Sequence, residues 1–170
     1  MKTLLVLRHG KAERDSDSGK DFDRSLAGRG WRDAEAVGRE MRARGLDPDA
    51  VIASPAKRSA ETVTALVRGY GRLEPTFDER IYDAPPARLL EIVNQADDAW
   101  DRLLLVGHNP GFEKLVLRLS GDEPCEHRDR IIEGFPTAAV AAIELPVMRW
   151  SDVGERSGRI VEMITPRDLR

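Results

Sequence analysis

Leu4-Leu5-Val6-Leu7-Arg8-His9-Gly10-Lys11-Ala12-Glu13 is the stretch on which the reading of this chain turns. A short apolar run that stops abruptly at Arg-His-Gly predicts a buried strand whose tip delivers a cation, an imidazole and a flexible backbone to one point. A strand tip holds side chains rigidly, and Gly10 lets the chain turn sharply and a ligand approach closely. Cation plus imidazole suits an anionic, phosphate-like ligand. Alone the triplet is a weak signal, because Arg-His-Gly also occurs in ordinary loops.

Working outward, apolar runs alternate with helical periodicity. After a first strand over 3–8 comes a polar loop over 10–28. The segment 29–44 then places Trp31, Ala34, Val37 and Met41 on one helical face, and Gly45 stops it. Ala50–Ala53 reads as a second strand. Ser54 and Pro55 have the grammar of an N-cap and a first helical residue, with Ala56, Ala60, Val63 and Val67 on the buried face. A weak edge strand over 73–77 and a short helix opened by Pro86 follow. Arg102–Val106 is an apolar strand, and Asn109-Pro110 repeats the cap-then-proline grammar before Phe112, Leu115, Val116 and Leu119. Residues 121–136 read as charged and irregular, and 138–145 with 159–164 as an antiparallel closing pair at one sheet edge. This alternation predicts a three-layer α/β sandwich with a mostly parallel central sheet, one domain over 1–170. In such sheets ligands bind beyond the carboxyl ends of the strands. Arg8-His9, Ser54-Pro55 and Gly107-His108 all follow strands there, so three polar elements converge on one face.

Composition narrows the function. Of 170 residues 41% are hydrophobic and 34% charged, with a net charge of only −3, ordinary for a globular protein with a charged surface. That balance argues against broad binding to nucleic acid or anionic membranes, so an anion site must be local and built from a few arginines. No apolar run approaches the roughly 20 residues that span a bilayer. Met1-Lys2-Thr3-Leu4 shows no signal-peptide pattern. Cys125 is the single cysteine, which excludes an intrachain disulfide and fits a reducing cytoplasm. It is also no phosphatase nucleophile: a Cys, five residues, then Arg loop would need arginine where Ile131 stands. A phosphate loop of the Gly-x-x-x-x-Gly-Lys-Ser/Thr kind is absent, since Gly19-Lys20 is followed by Asp21. His9, His108 and His127 lack paired ligand spacing, so neither metal nor cofactor is expected.

His9 is the best nucleophile candidate, because a neutral imidazole nitrogen can attack phosphorus and split one displacement into two easier ones. Phosphoryl transfer needs charge neutralisation on the equatorial oxygens. Arg8 and Arg58 can supply it, since guanidinium offers phosphate a planar fork, and His108 can donate a hydrogen bond to the same group. Each residue alone has an ordinary alternative: a structural histidine, a solvated helix arginine, a tight strand–helix connection. Their shared placement at matching strand ends is what carries the chemistry.

Arg8-His9-Gly10, Ser54-Pro55-Ala56-Lys57-Arg58-Ser59-Ala60-Glu61-Thr62 and Val106-Gly107-His108-Asn109-Pro110 together resemble the histidine phosphatase superfamily, the phosphoglycerate mutase-like group, in order from residue 3 to about 120. The resemblance implies that Arg8, His9, Arg58 and His108 form a phosphate pocket with His9 as nucleophile and no metal, Gly10 and Asn109 lining it. The short chain and the Asp23-Arg24-Ser25-Leu26-Ala27-Gly28-Arg29-Gly30 segment look like the SixA-type phosphohistidine phosphatases, which implies a phosphorylated protein, such as a phosphotransfer domain, as partner. In that setting Arg24 is either a substrate contact or a loop ion-pair partner. Asp78-Glu79-Arg80-Ile81-Tyr82 resembles the segment that carries the general acid of the mutases. By that match Glu79 would protonate a leaving alcohol, Tyr82 would touch substrate, and a small phosphomonoester would be the substrate. A phosphate-binding regulator without turnover is the reading from another class, against which the intact nucleophile argues.

Overall fold

A computed structural model describes residues 1–170. The apolar run at the N-terminus forms β1 (Lys2–Arg8), flanked by β4 (Arg102–Gly107) in parallel and β5 (Val140–Leu145) in antiparallel pairing. With β2 (Ala50–Ala53), β3 (Pro75–Phe77) and β6 (Arg159–Ile164), the six strands run in the order β3-β2-β4-β1-β5-β6. β5 alone runs against the others, so the sheet is mixed and mostly parallel. The strand order reverses between β1 and β4, and these two carry the Arg8-His9 and Gly107-His108 tips.

Strand alternation sends successive side chains to opposite faces. Leu5, Leu7, Leu104 and Val106 pack with Val37, Met41, Val63 and Leu66 from α1 (Gly28–Ala43) and α2 (Lys57–Tyr70). Leu4, Val6, Leu103 and Leu105 face the other way. They meet α3 (Pro86–Asn94), α4 (Gly111–Leu119), α5 (Glu126–Glu133) and the fully buried Trp150. Both faces of β1 and β4 are covered, which is why these strands read as continuous apolar runs. The helices are too short and polar for any to cross a membrane.

α1 ends as expected at Gly45, whose φ of +68° closes a Schellman turn: Leu46 N–H donates to the Met41 carbonyl and Gly45 N–H to that of Arg42. Other boundaries differ from expectation. α2 starts at Lys57 because Ala56 is extended at ψ 139°, and a residue before proline, here Ser54, is itself driven out of the helical region. The buried stripe of α2 runs through Arg58, Ser59, Thr62, Val63, Leu66 and Tyr70, with Ala60 and Val67 only partly covered. Polar groups belong to that stripe because the first turn faces the strand tips. α4 begins at Gly111, after Pro110. The stretch 121–136, read as irregular, contains α5, a helix too short and charged to show apolar periodicity.

Candidate active site

The polar residues at the start of α2 each hold a different part of one pocket. Ser59 Oγ donates to the Val106 carbonyl at the end of β4 (3.3 Å), and Glu61 accepts Leu26 N–H from the loop before α1 (2.9 Å). Thr62 Oγ1 accepts Gly10 N–H (3.0 Å) and donates back to the Arg58 carbonyl (2.6 Å). On the sheet side His9 N–H donates to the Gly107 carbonyl, and Ala138 N–H to the carbonyls of Arg8 and His9. The β1 tip is thereby clamped from three directions, and Arg8, His9, Arg58 and His108 meet there.

His9 and His108 are 8% and 7% exposed, with ring centroids 5.3 Å apart. His9 Nδ1 lies 2.7 Å from the Gly10 carbonyl. A carbonyl only accepts, so Nδ1 carries the proton and the neutral ring keeps its lone pair on Nε2. Burial, seconded by the charges of Arg58 and Arg8, pushes the His9 pKa down to about 4, so that lone pair is present at neutral pH. Arg58 Nε stands 3.3 Å from Nε2. Burial also takes His108 down to about 3, helped by His9 and Arg58. Its Nε2 is paired with Ser54 Oγ at 2.7 Å, while Nδ1 is buried with no protein partner. Arg8 donates from one terminal nitrogen to the Phe135 carbonyl (3.0 Å), and its buried Nε also has no partner. A nucleophilic nitrogen, two guanidinium groups and a second imidazole with an unused ring nitrogen therefore share one largely buried corner.

Residues 4–131 match the histidine phosphatase superfamily, branch 1. This chain belongs to that family. Its fold is the phosphoglycerate mutase-like one. The chain is 33% identical over 164 residues to Rv1276c of Mycobacterium tuberculosis, covering 95% of this chain and 100% of that protein. Among solved structures it superposes on a candidate phosphohistidine phosphatase SixA from Agrobacterium tumefaciens with a TM-score of 0.82, at 24% identity over 97% and 98% of the two chains. On the protein histidine phosphatase SixA complexed with tungstate the TM-score is 0.75, at 20% identity over 99% of both chains.

The remaining sequence candidates are placed differently. Gly10 serves by its size: a Cβ there would lie 2.8 Å from the Gly30 carbonyl oxygen, where the loop crosses α1. Asn109 adjoins His108 with both amide ends engaged, Nδ2 donating to Phe135 O and Oδ1 accepting from Glu113 N–H. Arg24 donates to the Glu13 carbonyl and to Asp21 Oδ1 (2.9 Å), the loop ion pair among its two expected roles. Glu79 is exposed on a 3-10 turn (Glu79–Ile81), its side chain in no hydrogen bond or ion pair, and Arg80 pairs with Asp78 instead. Tyr82, just past that turn, does reach the pocket, its ring edge-on to His108 at 5.4 Å.

Sequence reasoning missed Asp21. Its carboxylate accepts from Tyr82 OH (2.6 Å), Arg24 (2.9 Å) and Arg58 (3.0 Å), and its carbonyl takes a further bond from Arg58 (2.8 Å). The hydrogen bonds from Tyr82 and Arg24, with Arg58 behind them, hold its carboxyl far below the usual range. Asp21 lies in an acidic, polar loop whose composition resembles any solvated surface, so nothing short of the folded contact marks it out. Ser54 and Thr62 were equally silent, since their residue types also serve as caps and helix-surface positions.

Proposed function

We propose that this histidine phosphatase works through a covalent phosphohistidine at His9 and that its substrate is phosphohistidine on a partner protein. The neutral His9 Nε2 attacks phosphorus, and the bond from phosphorus to the substrate imidazole breaks. That imidazole leaves with the electron pair and takes a proton from solvent water. Water then attacks the phosphorus on His9, the P–N bond breaks, and orthophosphate leaves with His9 restored. Arg8 and Arg58 neutralise the equatorial oxygens without a metal or cofactor, and His108 donates to the phosphoryl group. Gly10 and Asn109 would line the pocket.

One observation carries the substrate class. Asp21, the carboxyl at the centre of the cluster, is held ionised and so is no proton donor. A P–N bond to imidazole breaks without strong general acid catalysis, whereas an alkoxide leaving group needs a proton. The likeness in shape and length to SixA structures supports the same reading. So does a groove of about 840 Å³ that runs from Arg8 and Asn109 past Arg29, Arg130 and Arg167. The single cysteine fits a cytoplasmic setting for such a partner. A small-molecule phosphomonoesterase is the second reading, favoured by Glu79 standing three residues from Tyr82, which touches His108.

The test is phosphate release from a histidine-phosphorylated phosphotransfer domain and from para-nitrophenyl phosphate, with alkaline detergent-quench trapping of labelled protein. Wild type should turn over the phosphoprotein and trap an acid-labile, base-stable label, and His9→Ala should do neither. Preference for the ester, lost in Glu79→Gln, would move the assignment to the second reading.

A further inference from the structure

Arg8 and Arg58 are both assigned to phosphoryl oxygens, yet their guanidinium groups are in different situations. Arg8 keeps a buried Nε with no partner. Arg58 has every nitrogen engaged: Nε faces His9 Nε2, one terminal nitrogen donates to the Asp21 carbonyl, and the other to Asp21 Oδ2. The carboxylate is itself gripped as a bound anion would be, by two arginines and a tyrosine hydroxyl. Its side chain is half exposed, at 51%, on a 3-10 turn (Asp21–Asp23) within the loop joining β1 to α1. Phe22 of that turn packs edge-on against Tyr82, at 5.1 Å between centroids.

We propose that Asp21 is a specificity-determining residue: its carboxylate is a built-in anion on Arg58 that every phosphoryl ligand must displace, and it selects against ligands that carry further negative charge. The proposal deepens the phosphohistidine reading and rests on it for the identity of the favoured substrate. A phosphoryl group arriving at His9 needs the terminal nitrogens of Arg58, so Asp21 gives them up. Displaced from Arg58, the carboxylate keeps Tyr82 and Arg24 and therefore stays at the pocket rim. There it repels a substrate bearing a second phosphate or a carboxylate, because like charges brought together in a partly desolvated site are disfavoured. An N-phosphorylated imidazole brings no charge beyond its phosphoryl group and escapes that repulsion. The same contact explains how a pocket with two arginines and two imidazoles discriminates against the abundant small multi-anions that its cations would otherwise attract.

Equilibrium binding of inorganic phosphate and of 3-phosphoglycerate, measured by calorimetry on wild type, Asp21→Asn and Asp21→Ala, tests this without requiring turnover. Both variants should bind phosphate about tenfold more tightly, a change of roughly 1.4 kcal/mol. 3-Phosphoglycerate should gain more than phosphate does, and the extra gain should shrink with added salt. Phosphate affinity within twofold of wild type, or weaker, in both variants would overturn the proposal, as would equal gains for the two ligands. Melting temperatures show that the variants are folded. In turnover, the preference for a phosphohistidine protein over 3-phosphoglycerate should fall at least tenfold in Asp21→Asn. If wild type turns over neither substrate, the phosphatase reading fails, and the binding comparison still decides the role of Asp21.

Discussion

Ser54 and His108 show how one hydroxyl can hold a site together. Ser54 is fully buried, accepts Ala56 N–H at 3.2 Å and meets His108 Nε2 at 2.7 Å. Removing that hydroxyl leaves a second unpaired nitrogen on a ring that already has one, and a buried polar group without a partner costs about 1–3 kcal/mol. Ser54→Ala should therefore lower stability by about that amount in urea titrations. Loss of ring orientation should lower kcat by about tenfold or more, while KM for substrate moves less. A kcat equal to wild type would mean that His108 needs no positioning by Ser54. Arg8, His9, Arg58 and His108 were legible as candidates because cations and imidazoles at strand ends are chemically conspicuous. Ser54, Thr62 and Asp21 were not, because their roles depend on partners 54, 52 and 37 residues away.

At the scale of elements, the site depends on how closely α2 lies against α1. A Cβ on Gly69 would fall 2.0 Å from the Glu35 carbonyl oxygen, and one on Gly38 would fall 2.3 Å from that of Leu66. The two helices thus touch backbone to backbone at both places, and α2 carries Arg58 in its first turn. Gly69→Ala should force the helices apart and cost about 1–3 kcal/mol or more of stability. A urea midpoint unchanged from wild type would show that the helices can part freely. The alternation of strands and helices was readable because apolar periodicity is a local property of the chain. The start of α2 and the existence of α5 were not: a proline-led turn and an eight-residue charged helix are set by tertiary contacts rather than by pattern.

For the molecule as a whole, building an active site on two buried neutral histidines makes stability depend on pH. The His9 pKa is near 4 in the folded state and 6.5 ordinarily, and that of His108 is near 3. Between pH 6.5 and 4 the unfolded chain binds protons that the folded one refuses. The contribution is complete above pH 6.5 and is lost progressively as pH falls toward 4. For His9 alone the loss by pH 4.5 is on the order of 2–3 kcal/mol. Urea titrations at pH 7.0, 5.5 and 4.5 should show this decline, and His9→Gln should flatten part of it. Parallel curves for the two proteins would show that His9 titrates in the fold as it does in water.

What the sequence by itself determined is the α/β alternation, the mostly parallel sheet, the convergence of three strand-end motifs and the family they resemble. Each of these is written in local periodicity or in short motifs of distinctive chemistry. Only the tertiary structure decided which face each strand residue covers, that Asp21 is laid on Arg58, that Ser54 holds His108, and that the Glu79 side chain is exposed and unpaired. Those facts arise from contacts between residues distant in the chain, where an ordinary aspartate or serine acquires its role from burial and from the partner folding brings to it.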